Sequence, residues 1–114
     1  MQVLSSLEFQ SSGTFSKSDL GSATHIHVTV IGGQGGGFGG GGGGLCHYVF
    51  SKPELDDVIS VTVGAGGLDG QSGGASEFGA LRAGGGGAGQ SVDGLGAPVA
   101  QNGRVTVQLL MKRD

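Results

Sequence analysis

Between residues 32 and 44 the chain reads GGQGGGFGGGGGG, and only Gln34 and Phe38 interrupt the glycine. A run of this kind has almost no side chains to bury, and glycine loses more backbone entropy on ordering than any other residue. Left to itself it behaves as a flexible coil. Yet it is entered from "HIHVTVI" (25–31) and left through "LCHYVF" (45–50), both of which have the composition of strands. Long structureless loops are uncommon inside compact domains. The run is therefore either a linker or is ordered by its own backbone.

The other glycine-rich stretches favour backbone order. In "VGAGGLDGQSGGASEFG" (63–79), Gly64, Gly67, Gly70, Gly73 and Gly79 fall in a register of three, with Ser76 the one exception. Three residues per turn is the period of polyproline II geometry, which has no internal hydrogen bonds. Helices of that kind can pair through free amides and carbonyls if no side chain holds them apart, and glycine permits this. The segments 32–44, 64–79 and 84–96 are thus predicted to form polyglycine II helices packed as a bundle.

Between these segments the chain reads as strands. "HIHVTVI" alternates, with Ile26, Val28 and Val30 on one face and His25, His27 and Thr29 on the other. "LCHYVF", "VISVTV" (58–63) and "RVTVQLL" (104–110) are rich in β-branched or aromatic residues. "LEFQSSGTF" supplies one or two short strands around the turn "SSG", and "SEFGALRA" (76–83) a pair around Gly79. "PELDDV" (53–58) is long enough for one helical turn only. Leu, Ile, Val and Phe make up about a quarter of the chain, above the roughly 20% below which chains tend towards disorder. The expectation is one all-β domain over 1–114: a small, jelly-roll-like β-sandwich carrying glycine-rich insertions.

Several functions are argued against by composition and motif. The net charge is −3 with 13% charged residues, and the basic residues form no patch of the kind that binds nucleic acid. No apolar run is long enough for a membrane helix, and "MQVLSSLEF" lacks the features of a signal peptide, so synthesis without secretion is expected. Gly35, Gly37 and Gly40 satisfy G-x-G-x-x-G by count, but residues 39–44 are all glycine where a dinucleotide site needs a helix. No lysine follows a glycine loop in the manner of a phosphate-binding loop. No catalytic residue and no cofactor is assigned. Cys46, the single cysteine, is expected to be buried, and its neighbour His47 to point to the opposite face. His25 and His27 are weak metal candidates, able to hold iron or zinc if a threefold axis brings three copies of the pair together.

The pieces "EFQSSGTF", "HIHVTVIGGQGGG", "GGGGGGLCHYVF", "ISVTVGAGG", "GGASEFGALRAGGGG" and "GRVTVQLL" together resemble the glycine-rich domain of bacteriophage tail-fibre and other virion proteins. The likeness spans nearly the whole chain and departs at "SKSDLGSAT", where such domains place a Val-Pro segment and a glycine. A jelly-roll-like domain with inserted polyglycine helices is also similar to the extracellular glycine-rich module of some receptor tyrosine kinases, which bears on fold more than on function. The phage resemblance implies a non-enzymatic virion protein that displays residues to a bacterial surface receptor, often at a fibre tip. The candidate contact residues are Gln34, Phe38, Leu68, Asp69, Asp93 and Leu95. Phe38 has an alternative role as a plug that packs the bundle onto the sandwich. A homo-oligomer is expected, with a trimer favoured, and other virion proteins are expected partners. With 114 residues and its own Met1, the chain is expected either to bind a separate fibre protein or to be a structural piece of the assembly, such as a baseplate, fibre-joining or minor capsid component. Ice-binding proteins also use polyglycine II bundles, but the outward residues Gln34, Phe38, Leu68, Asp69 and Gln71 lack the regular face that ice requires.

Overall fold

In a computed structural model, which describes residues 1–91 and 100–112, the chain forms eight strands in two four-stranded antiparallel sheets. The long sheet has the order β1-β8-β3-β4, from Gln2–Phe9, Arg104–Met111, His25–Ile31 and Leu45–Ser51. The short sheet has the order β2-β5-β6-β7, from Gly13–Ser16, Val58–Thr62, Ser76–Phe78 and Leu81–Ala83.

The alternation in β3 decides which face turns inward. Ile26, Val28 and Val30 are fully buried, and they sit opposite Leu109, Val107 and Val105 of β8. Phe15, Ile59, Val61 and Phe78 of the short sheet close over them. Phe78 joins the layers, its ring centroid 5.8 Å from that of Phe15 and 5.9 Å from that of Phe50 on β4. Leu20, on the 3-10 turn Lys17–Leu20, seals one end of the core. That turn lies within "SKSDLGSAT" (16–24), whose first residue, Ser16, ends β2.

The "SSG" turn stands between two strands, as expected, and links the two sheets. β1 pairs with β8 and β2 with β5, so Gln10 to Ser12 carry the chain from one sheet to the other and join no hairpin. The Ser12 hydroxyl accepts the Val63 amide (3.0 Å) and ties this crossover to the end of β5. "SEFGALRA" forms the expected hairpin, with Gly79 at a φ of 57°. "PELDDV" contributes to the 3-10 turn Lys52–Glu54. There the Glu54 carboxylate accepts the Ser51 amide (2.9 Å) and hydroxyl (2.8 Å), and these bonds hold its pKa below the ordinary value.

The glycine segments form the predicted hydrogen-bonded bundle, with one change. The first two segments run out from the sandwich and return, giving the pieces 32–37, 40–44, 64–68 and 71–75, and the described residues 84–91 and 100–103 add two more extended pieces. The piece 32–37 lies at the centre. Gly32 and Gly35 donate to the carbonyls of Gly44 and Gly41; Gly33 and Gly36 donate to those of Gly74 and Gln71; Gln34 donates to Gln101, all at 2.8–3.0 Å. In the reverse sense, Gly86 and Gly89 donate to the carbonyls of Gly33 and Gly36. Each ladder advances three residues at a time on both partners, the signature of threefold helices. Gly32, Gly33, Gly35 and Gly36 are buried while Gln34 is exposed. A Cβ added at Gly35 would overlap the carbonyl of Gly87, which is why no side chain occurs there.

Candidate functional site

The bundle ends, far from the core, in turns that present most of its larger side chains. In the first, Phe38 stands between Gly37 and Gly39, both of positive φ (99° and 77°), which allows the tight reversal. In the second, the Gln71 amide donates to the Leu68 carbonyl (2.8 Å) across Asp69 and Gly70, and Gly70 takes the positive φ (76°) that the turn requires. The third excursion leaves through Gln90 and Ser91.

These turns are fastened to one another. Phe38 and Gln90 exchange two backbone hydrogen bonds, of 2.8 and 2.9 Å, and the Gly89 amide donates to Gly36 (2.8 Å). The Ser91 hydroxyl donates to the Asp69 carboxylate (2.9 Å). The resulting tip offers an apolar side chain, Leu68, which is 73% exposed, beside a half-buried aromatic ring, a carboxylate, a hydroxyl and the amides of Gln71 and Gln90. Such a set suits recognition by contact and hydrogen bonding.

The candidates drawn from sequence separate into three groups. Phe38, Leu68 and Asp69 meet at the tip. Phe38 is no plug: it belongs to the distal turn and is absent from the side chains packed on the core. Gln34 lies midway along the bundle, where its side-chain oxygen accepts the Gln101 amide (3.1 Å) and its carbonyl accepts that of Gly67 (2.7 Å). It locks the bundle and stands apart from the tip. Asp93 and Leu95 lie outside the described residues. Sequence reasoning missed Gln90 and Ser91; the signal available was "GQS", the first polar residues after the third glycine run.

The histidines lie on the outer face of the long sheet. His25 Nδ1 is 2.9 Å from Thr24 Oγ1, whereas His27 lies between Gln108 and His47. Cys46 points the other way, as expected, and its thiol donates to the Arg82 carbonyl (3.2 Å) of the short sheet. Among the described residues no three His, Cys, Asp or Glu side chains cluster as metal ligands.

No curated protein and no solved structure matches the chain. A family model described as a glycine-rich domain matches residues 10–108, which takes in the short sheet, the long sheet apart from β1 and the end of β8, and the glycine-rich segments between the strands, and the chain belongs to that family.

Proposed function

We propose that this protein is a non-enzymatic component of a bacteriophage tail or tail fibre, and that it contacts a bacterial surface receptor through the distal turns of its glycine bundle. The observation that carries this reading is the exposed Leu68 beside Phe38 and Asp69 on a tip cross-linked by hydrogen bonds. A surface already ordered loses little entropy on binding, so a few side chains suffice for useful affinity. In this reading the protein acts in the virion.

The deciding experiment replaces Leu68 and Asp69 together by Ala and measures binding to host cells, competition with phage adsorption, and thermal stability. Binding falls with at most a small change in melting temperature, because neither side chain contributes to the core and only the exposed bond from Ser91 to Asp69 is lost. A drop of the size expected for a core truncation refutes the tip assignment. Failure of the unmutated protein to bind cells or to block adsorption refutes the receptor role and leaves a second reading, a joining or structural virion protein. One observation favours that reading independently: Val3, Leu4 and Leu7 on the edge strand β1 are each more than 40% exposed, an apolar margin suited to another subunit.

A further inference from the structure

We propose that His27 and His47 form a two-imidazole site for a late first-row divalent cation, zinc being the reference ion, on the outer face of the long sheet. The two residues lie diagonally across the β3–β4 pair: His27 is opposite Val49, and Thr29 is opposite His47. Diagonal neighbours in a sheet are within reach of each other when the side chains are aromatic. Here the rings meet edge to face with centroids 5.3 Å apart, and His27 Nε2 is 3.3 Å from His47 Nδ1. Two imidazole nitrogens bound to one tetrahedral zinc at ~2.0–2.1 Å are themselves about 3.3–3.4 Å apart. The spacing of the donors therefore already suits the ion.

The neighbouring strand supplies the orienting group. Gln108 of β8 lies directly opposite His27, and its Oε1 is 3.3 Å from His27 Nδ1. A carbonyl oxygen only accepts, so Nδ1 carries the proton and Nε2 keeps its lone pair directed towards His47. Metal-bound histidines are held in this way, with the second ring nitrogen donating to an oxygen. Without metal, His47 Nδ1–H donates to His27 Nε2. On binding, that proton moves to His47 Nε2 through solvent, since His47 is exposed, and both freed lone pairs take the ion. Water fills the remaining positions. The site is independent of the receptor reading and needs only one chain, unlike the three-chain arrangement of His25 and His27.

Zinc chloride titrated into the full chain, followed by calorimetry and by the 15N resonances of the imidazoles, tests the assignment. One equivalent binds, and the nitrogens that shift are His27 Nε2 and His47 Nδ1. His27→Asn and His47→Asn each remove the binding, Gln108→Leu weakens it by about 10–100-fold, and His25→Asn and Cys46→Ser leave it unchanged. Absence of saturable binding overturns the proposal, as does binding that survives either ligand substitution or is lost with His25 or Cys46. An unchanged affinity in Gln108→Leu overturns the orienting role. The nitrogen shifts are read on the unmodified chain, so they decide the matter even if a variant fails to fold.

Discussion

At the scale of single residues, the glycines of the bundle are not equivalent. A Cβ at Gly35, Gly36 or Gly43 would overlap a backbone carbonyl of a neighbouring piece, whereas one at Gly42 or Gly87 would meet nothing within 4 Å. The overlapped carbonyls belong to main chain that is itself bonded on other sides, so relief requires the ladder to move. Gly35→Ala is therefore expected to destabilise the fold by about 1–3 kcal/mol, the usual cost of overpacking. Gly42→Ala is expected to stabilise it by about 0.4–1 kcal/mol, because alanine restricts the unfolded chain and finds free space in the folded one. Denaturant unfolding of the two variants beside the parent checks both signs. Similar losses in the two would mean that the glycines serve a common conformational need, and the packing account would fail.

At the scale of elements, the central piece 32–37 has no hydrophobic side chain and is nevertheless the most enclosed part of the bundle. It is held because five consecutive amides, Gly32 to Gly36, each donate to another piece. Buried amides of this sort are costly to leave unpaired, so the bundle opens as a unit or not at all. Hydrogen exchange should show the amides of Gly33, Gly35 and Gly36 protected to the same degree as those of β3, with Gly42 exchanging freely by comparison. Fast exchange throughout 32–37 would return the segment to the status of a linker. The strands follow the opposite logic. β3 and β8 are stabilised through Ile26, Val28, Val30, Val105 and Val107, and their order depends on apolar burial.

At the scale of the whole molecule, the Cα extents are 59 × 23 × 16 Å, a rod made of a small sandwich continued by the glycine bundle. Among the described residues both edges of the long sheet are unpaired, and they carry exposed apolar residues. Leu4 and Leu7 lie on β1; Leu45 and Val49 lie on β4. Two different edges invite a head-to-tail contact, which closes into a ring when the rotation allows, and edge strands of this kind are usually covered. The proposed trimer predicts a light-scattering mass three times that of the 11.1 kDa chain. Leu4→Lys with Leu7→Lys should reduce it to that of one chain while the bundle stays intact. A stable monomer for the parent at micromolar concentration would remove the trimer and would leave the two-histidine site untouched, since that site lies within one chain.

The features legible from sequence were those set by local periodicity. Alternation in 25–31 separated the two faces of that strand, β-branched composition marked 104–110 as another, and the register of three in 64–79 identified a backbone with three residues per turn. Which glycine pieces pair, and that 32–37 is the central one, was decided only by the tertiary structure, because backbone hydrogen bonds between glycines are chemically identical and carry no code for a partner. The doubling of the first two segments into four pieces rests on reversals at Phe38 and Gly70, which a repeat of three does not mark. The crossover at "SSG" depended on β1 finding β8, nearly the full length of the chain away. The meeting of His27 with His47 required the β3–β4 register, which is fixed by burial of Ile26, Val28 and Val30 on the opposite face and is therefore a property of the packed sandwich.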